Sequence, residues 1–356
     1  METTTLHLAP SSDESSLPDL LAPPPPPPDD DLPPAAASLP VVDLSRGRAE
    51  VRRAVLAAGR ELGLFQVVNH GVPEQTLRDM EAVSEEFFRL PAAEKAAYYS
   101  EDKRKRNRFF SGTTYETGGE SYRLDCLRLA GAFPLAAGAA ADWPDKPRRL
   151  REAVAQYMAQ GRGVAMEVLR LLCEAMGLPP DYFDGDLSGG DVVLGINHYP
   201  RCPEPEPETA AAAALGLPPH CDRNLITVIL PGPVPGLEVA YNGGWIRVEP
   251  VPNALLLVLG LQLEVVTNGL LKSNEHRVMT NPVRSRTSVA MFIEPTADCL
   301  VGPAEEFISE DNPPCYRTLT FADFKRIYSV VKLGSSLNLT TNLKDNQKQV
   351  LDELKP

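Results

Sequence analysis

The sequence predicts a mostly β protein with a jelly roll or related barrel, preceded and followed by helices. Three observations carry that expectation. Apolar residues recur at helical spacing in the first half, but after Gly189-Gly190 the pattern changes to period two or to short apolar runs. Those runs are punctuated by Gly, Pro and Asn and include the hairpin signal Asn242-Gly243-Gly244. Helical spacing then returns at Phe321, Phe324, Ile327, Tyr328 and Val331.

In chain order, residues 1–38 are rich in Ser, Asp, Ala and Pro, with consecutive prolines from Pro23 to Pro28. Such a segment buries too little apolar surface to offset its ordering entropy and is expected to be a disordered tail. Leu39 to Leu44 reads as a short strand. Val51, Val55, Ala58 and Leu62 mark a helix stopped by Gly63, and Leu64 to Asn69 a buried strand. His70, after that strand, has no partner at ligand spacing and is read as structural. Leu77, Met80 and Phe87 share one side of a second helix that runs until Pro91.

From Glu101 to about Ala130 no period holds, so a long loop is expected. Its aromatics, among them Phe109, Phe110, Tyr115 and Tyr122, either line a pocket or tuck beneath a surface loop. Pro147 to Met176 is the longest helical pattern, with Leu150, Val154, Met158, Ala165, Val168 and Leu172 in one stripe. Strands are expected at 192–199, 225–230, 237–240, 245–249, 254–259, 262–267, 275–279 and 287–293, and a loop from Pro203 to Pro219. Residues 347–354 read as a terminal helical turn or two. The resulting organisation is a tail (1–38), a helical N-terminal region (39–188), a β core (189–301) and a C-terminal helical segment (302–356).

A net charge of -13 argues against a nucleic-acid surface, which needs clustered cations. The local exception, Lys103-Arg104-Lys105-Arg106 with Arg108, reads as a solvated loop. No uncharged apolar run reaches the roughly 18 residues that span a bilayer. The cysteines at 126, 173, 202, 221, 299 and 315 form no CxxC pair and read as reduced thiols. Without a basic start and apolar h-region, a cytoplasmic protein is expected.

The chemistry gathers at His220, Asp222, His276, Arg286 and Ser288. On extended backbone His220 and Asp222 point to one face, because side chains alternate with period two. His276 on an adjacent strand could complete a two-His, one-carboxylate face. Such a face leaves three of six octahedral positions free, a pattern that suits non-haem Fe(II). Arg286 and Ser288 share a face of an apolar strand, where a guanidinium invites a carboxylate. A zinc hydrolase fits less well, since no nearby acid stands as general base and the Arg-x-Ser pair would have no role.

Several stretches carry a resemblance. They are Gly195-Ile-Asn197-His-Tyr199-Pro-Arg-Cys-Pro203, His220-x-Asp222, Thr267-Asn-Gly269 with Lys272-Ser273, His276-Arg-Val278, Arg286-x-Ser288 and, nearer the N-terminus, Phe65 to Pro73. Together, over about Leu39 to Val331, they resemble the plant Fe(II)- and 2-oxoglutarate-dependent dioxygenases of isopenicillin N synthase-like fold. The resemblance implies a double-stranded β-helix core with His220, Asp222 and His276 as iron ligands. It implies that Arg286, Ser288 and the Tyr199 hydroxyl hold the distal carboxylate of 2-oxoglutarate, with Asn197 near the metal or co-substrate. His198 faces the other way.

The implied reaction hydroxylates a small organic substrate with O2, converting 2-oxoglutarate to succinate and CO2, with ascorbate as reductant. The substrate classes implied are flavonoids, phenolics, alkaloids and hormones; a monomer is expected. An oxidase of the same fold without 2-oxoglutarate and a non-catalytic binding protein are the alternatives. Cys221 replaces the Thr common between the ligands, and Leu261 stands where the family often has Asp.

Overall fold

The computed structural model describes residues 38–112, 122–135, 138–202, 215–335 and 354–355, with side chains of the last helix described up to Tyr328. The proline tail, Tyr115 and most of the expected terminal turn lie outside those residues. The main sheet has eight strands: β1 (Val41–Asp43), β2 (Leu64–Val68), β3 (Arg108–Ser111), β4 (Asp125–Gly131), β5 (Val192–Tyr199), β7 (Ile226–Leu230), β10 (Leu255–Leu259) and β12 (Arg286–Ile293). Their spatial order is β1-β2-β10-β7-β12-β5-β4-β3. A second sheet is ordered β6 (Leu215–His220), β11 (His276–Met279), β8 (Leu237–Tyr241) and β9 (Gly244–Arg247). A small pair, β13 (Leu300–Val301) and β14 (Leu319–Thr320), lies apart from both.

Six helices occur among the described residues: α1 (Arg48–Glu61), α2 (Glu74–Arg89), α3 (Ala92–Ala96), α4 (Leu150–Met176), α5 (Leu261–Val266) and α6 (Phe321–Ser335). Every residue of β7 and β10 is buried. The reason is that alternate side chains enter two different cores. Val228, Leu255 and Leu257 pack with α1, α2 and α4 in the larger one. Ile229, Leu256 and Val258 turn the other way and meet Leu237, Val239 and Val278 of the second sheet. A sheet covered on both faces shows no alternation of polarity, which explains the short apolar runs. The architecture is the jelly-roll core with flanking helices that the sequence predicts.

The hairpin at Asn242-Gly243 forms as expected. Both residues adopt positive φ (46° and 81°), as a two-residue turn between β8 and β9 requires. His70 is structural, with Nε2 2.9 Å from the Asn253 carbonyl.

Four expectations are corrected. Residues 262–267 are not a strand; α5 spans Leu261–Val266, because its first N–H groups are taken by the preceding loop, Leu261 N donating to the Asp222 carbonyl and Gln262 N to that of Asn224. The Pro203–Pro219 loop ends early, in β6. Its two prolines fit there because β6 is an edge strand and its ladder needs few of their missing donors. The aperiodic stretch after Glu101 contains β3 and β4, hidden because Phe109 and Leu127 enter the helical core while Phe110 and Cys126 enter the other. Arg108 is not in a solvated loop; it is 4% exposed on β3, stacks on Phe110 and donates to the Ser100 carbonyl.

Candidate active site

His220 ends β6, and antiparallel pairing sets it directly opposite His276 on β11, so both imidazoles leave the sheet on one face. Their ring centroids are 4.3 Å apart. Asp222 follows two residues after His220, held by the Leu261 N–H on its carbonyl. One carboxylate oxygen, Oδ1, lies 3.7 Å from Nε2 of His220 and 3.8 Å from Nε2 of His276. Ligand atoms of all three residues fall within 4.8 Å of one another, and all three residues are buried. The separations are too long for hydrogen bonds and suit a shared cation.

Neighbouring groups orient the donors. His220 Nδ1 lies 2.9 Å from the Pro218 carbonyl and His276 Nδ1 lies 3.2 Å from that of Asn274. A carbonyl only accepts, so each Nδ1 carries the proton and each Nε2 turns its lone pair toward Asp222. The other carboxylate oxygen, Asp222 Oδ2, accepts from the Thr227 hydroxyl at 2.5 Å, and Asn224 Nδ2 donates to Thr227 Oγ1 at 3.1 Å. The Tyr328 hydroxyl of α6 donates to the Cys221 carbonyl at 2.7 Å, fastening the backbone between His220 and Asp222.

A second cluster lies on the main sheet. Arg286 pairs in register with Tyr199 and Ser288 with Asn197, so the four side chains share the inner face. Arg286 is 3% exposed, and among the described residues its polar partners are Val234, Ser288 and Tyr199, none of them a carboxylate. Its Nη1 donates to Ser288 Oγ at 3.0 Å and its Nε to the Val234 carbonyl at 3.1 Å. Burial pushes the Tyr199 hydroxyl up to about 12, so it stays a neutral donor beside the guanidinium. A buried cation without a counter-ion is costly, and a bound dianion would offset that cost.

Two glycines make this packing possible. A Cβ on Gly216 would lie 2.5 Å from the Tyr199 ring, and one on Gly236 would lie 3.0 Å from Arg286 Cδ and 2.7 Å from the Met279 carbonyl. Asn197 also lines a cavity with His220 and Asp222, which joins the two clusters. His198, on the outer face, stacks on Phe88 at 4.8 Å and lies 2.9 Å from Thr287 Oγ1.

The structure therefore brings together all seven residues singled out in the sequence, in one triad and one neighbouring face. It adds Thr227, Tyr328, Gly216 and Gly236, which sequence reasoning missed. Tyr328 had shown only as part of an apolar helix stripe, and Thr227 only as one residue of an apolar run. Of the loop aromatics, Phe110 lines the cavity and Phe109 packs beneath α2 against Phe87 and Phe88.

Comparison with known proteins agrees with this geometry. Residues 190–295 match the 2OG-Fe(II) oxygenase superfamily, and residues 39–146 match the non-haem dioxygenase in morphine synthesis N-terminal model. The chain is 63% identical to 2'-deoxymugineic-acid 2'-dioxygenase of Hordeum vulgare, over 88% of this chain and 90% of that protein. It is 58% identical to mugineic-acid 3-dioxygenase of the same plant, with the same coverage. The solved structure of JOX2 in complex with 2OG, Fe and JA superposes with a TM-score of 0.74 at 29% identity, covering 91% of this chain and 98% of that one. With an identity so high over so much of both chains, this chain belongs to the 2OG-Fe(II) oxygenase superfamily and is a dioxygenase that uses Fe(II) and 2-oxoglutarate.

Proposed function

We propose that His220, Asp222 and His276 hold the Fe(II), that Arg286, Ser288 and Tyr199 hold the distal carboxylate of 2-oxoglutarate, and that Asn197 faces the co-substrate. The substrate we propose is an amino-carboxylic acid of the mugineic acid class, and the reaction its hydroxylation. The observation that carries the reading is the pairing of two charge sites in one barrel: a buried donor triad whose imidazole lone pairs converge, and a buried guanidinium without a carboxylate partner among the described residues. Identity of 63% to a dioxygenase named for 2'-deoxymugineic acid supports the substrate class.

When bound, Fe(II) couples the oxidation of 2-oxoglutarate by O2, giving succinate and CO2, to insertion of the second oxygen atom into a substrate C–H bond; ascorbate keeps the metal reduced. The protein's part is positional. Arg286 offers a planar fork that a carboxylate can accept bidentately, while Ser288 and Tyr199 supply further donors. Thr227 and the carbonyls of Pro218 and Asn274 hold the ligand side chains in one orientation. The apolar walls of the barrel keep bulk water from the reacting centre.

We further propose that the β core, residues 189–301, carries the chemistry and that the enzyme works as a cytoplasmic monomer without nucleic-acid or membrane partners. The charge of -13 supports the nucleic-acid part of this reading, and no helix among the described residues is long and apolar enough to cross a membrane.

The test is succinate release by Fe(II)-loaded protein given 2-oxoglutarate, ascorbate, O2 and 2'-deoxymugineic acid. The expected result is substrate-dependent succinate matched one to one by a product heavier by one oxygen. Succinate stimulated only by a neutral flavanone would reject the proposed substrate class while leaving the cofactor assignment in place.

A further inference from the structure

The cavity beside the metal triad carries charge that neither the metal nor the co-substrate site uses. Its lining includes Arg128 on β4, Arg223 just after Asp222, and Glu294 just after β12. Arg223 and Glu294 satisfy each other, Nη2 to Oε1 at 3.2 Å, and Lys325 Nζ approaches the other Glu294 oxygen at 3.9 Å. Arg128 has no ion pair among the described residues, and its Nε is buried without a hydrogen-bond partner.

Its neighbours make that isolation worse. Arg128 pairs in register with Arg108 on β3, a cross-strand juxtaposition of like charges that is ordinarily destabilising. Arg108 is held by the Ser100 carbonyl and the Phe110 ring; being a cation itself, it offers Arg128 no compensation. Burial, and then the nearby charge of Arg223, push the Arg128 guanidinium pKa downward, against a smaller upward pull from the Glu294 carboxylate, which Arg223 engages directly. A guanidinium still keeps its proton in a protein, so the cost is borne as an unpaired cation.

Beside Arg128 the sheet carries no side chain. Its partner in register on β5 is Gly195, and the atoms nearest to a Cβ built there belong to the Asn197 and Cys126 side chains, at 3.6–3.8 Å. Asn197, two residues on and on the same face, lines the cavity with His220 and Asp222. A ligand lying over Gly195 would thus reach Arg128 at one end and the metal triad at the other. The Arg286 cluster is separate, on β12 beside the Tyr199 end of β5. Arg128 and Arg286 are thus two separate cationic groups on one sheet face, of which Arg128 lines this cavity.

We infer that Arg128 is a specificity-determining residue that pairs with a carboxylate of the organic substrate and thereby selects acids over neutral metabolites of similar size. The inference rests on the reading of His220, Asp222 and His276 as the place of turnover.

The test uses Fe(II)-loaded full-length protein with 2-oxoglutarate under anaerobic conditions, and calorimetric titration with 2'-deoxymugineic acid, jasmonic acid and the neutral flavanone naringenin. Wild type, Arg128→Gln and Arg128→Lys are compared, with 2-oxoglutarate affinity measured in each as a check that the barrel is folded. The expected result is binding of 2'-deoxymugineic acid weakened at least tenfold by Arg128→Gln, in part restored by Arg128→Lys, with 2-oxoglutarate affinity within twofold of wild type. Equal binding of 2'-deoxymugineic acid by wild type and Arg128→Gln would overturn the anchor and leave the substrate class standing. Binding of jasmonic acid alone, weakened tenfold by Arg128→Gln, would overturn the substrate class and uphold the anchor. Binding of naringenin alone would overturn both.

Discussion

Arg286 and Thr227 act through hydrogen bonds whose geometry is set by one or two atoms. Arg286 is planar, buried and already tied by Nε to Val234 and by Nη1 to Ser288, which aims the rest of the fork. Lysine keeps the charge but loses the fork. Losing a hydrogen bond to a charged group costs about 1.5–3 kcal/mol, so Arg286→Lys is expected to raise the KM for 2-oxoglutarate by roughly 10- to 100-fold. Fe(II) affinity, followed by titration without co-substrate, is expected to change little; equal loss of both would reject the assignment. Thr227 touches no ligand atom of the metal face, yet its hydroxyl fixes the carboxylate through Asp222 Oδ2. Loss of such an orienting contact typically costs about 10- to 100-fold in metal affinity. Thr227→Val keeps the shape and removes the donor, and equilibrium Fe(II) binding is expected to weaken by that amount while 2-oxoglutarate KM at saturating iron stays near wild type.

At the scale of elements, the site depends on where two sheets approach each other. β6 and β11 present the imidazoles, β5 and β12 present Tyr199, Asn197, Arg286 and Ser288, and the segment around Val234 and Gly236 crosses Arg286. Gly236 carries no side chain where a Cβ would press on the Met279 carbonyl and on the Arg286 stem. Overpacking of this kind costs about 1–3 kcal/mol. Gly236→Ala is therefore expected to lower the unfolding free energy by about that amount and to raise the 2-oxoglutarate KM more than the Fe(II) dissociation constant, as read by chemical denaturation and co-substrate titration. A stable variant with unchanged KM would show that the strand moves aside. α5 and α6 hold the other half of the site: Leu261 N donates to the Asp222 carbonyl and the Tyr328 hydroxyl to that of Cys221, so the backbone from His220 to Asp222 is pinned from both sides.

For the molecule as a whole, the two charge sites lie within a barrel shared by both sheets, so occupying them couples to global stability. A ligand at about 100 times its Kd stabilises the folded state by about 2.7 kcal/mol. For a chain of 356 residues that corresponds to roughly 4 °C in Tm. Thermal unfolding of the Fe(II)-loaded wild type is expected to shift upward by about that much with 2-oxoglutarate, and Arg286→Lys is expected to lose the shift at the same concentration. The elements that bring these sites together were legible to different degrees. That His220 and Asp222, Arg286 and Ser288, and Tyr199 and Asn197 share faces was legible in the sequence, because period two decides which neighbours lie on one strand face; that His276 joins the first pair is set by the β6–β11 register. The strands of the β region were legible for the same reason, as apolar runs between turn residues. β3, β4 and β6 were not, since sheets buried on both faces erase alternation and an edge strand tolerates the prolines that read as loop. The helix at Leu261–Val266 was misread because all six of its residues are buried, leaving no polar face to set a period. Arg128 and Arg108 stood in a stretch without pattern. Only the register of β3, β4 and β5 set one guanidinium into the cavity and the other against Phe110, because cross-strand pairing joins residues far apart in the chain and local sequence carries no record of that partner.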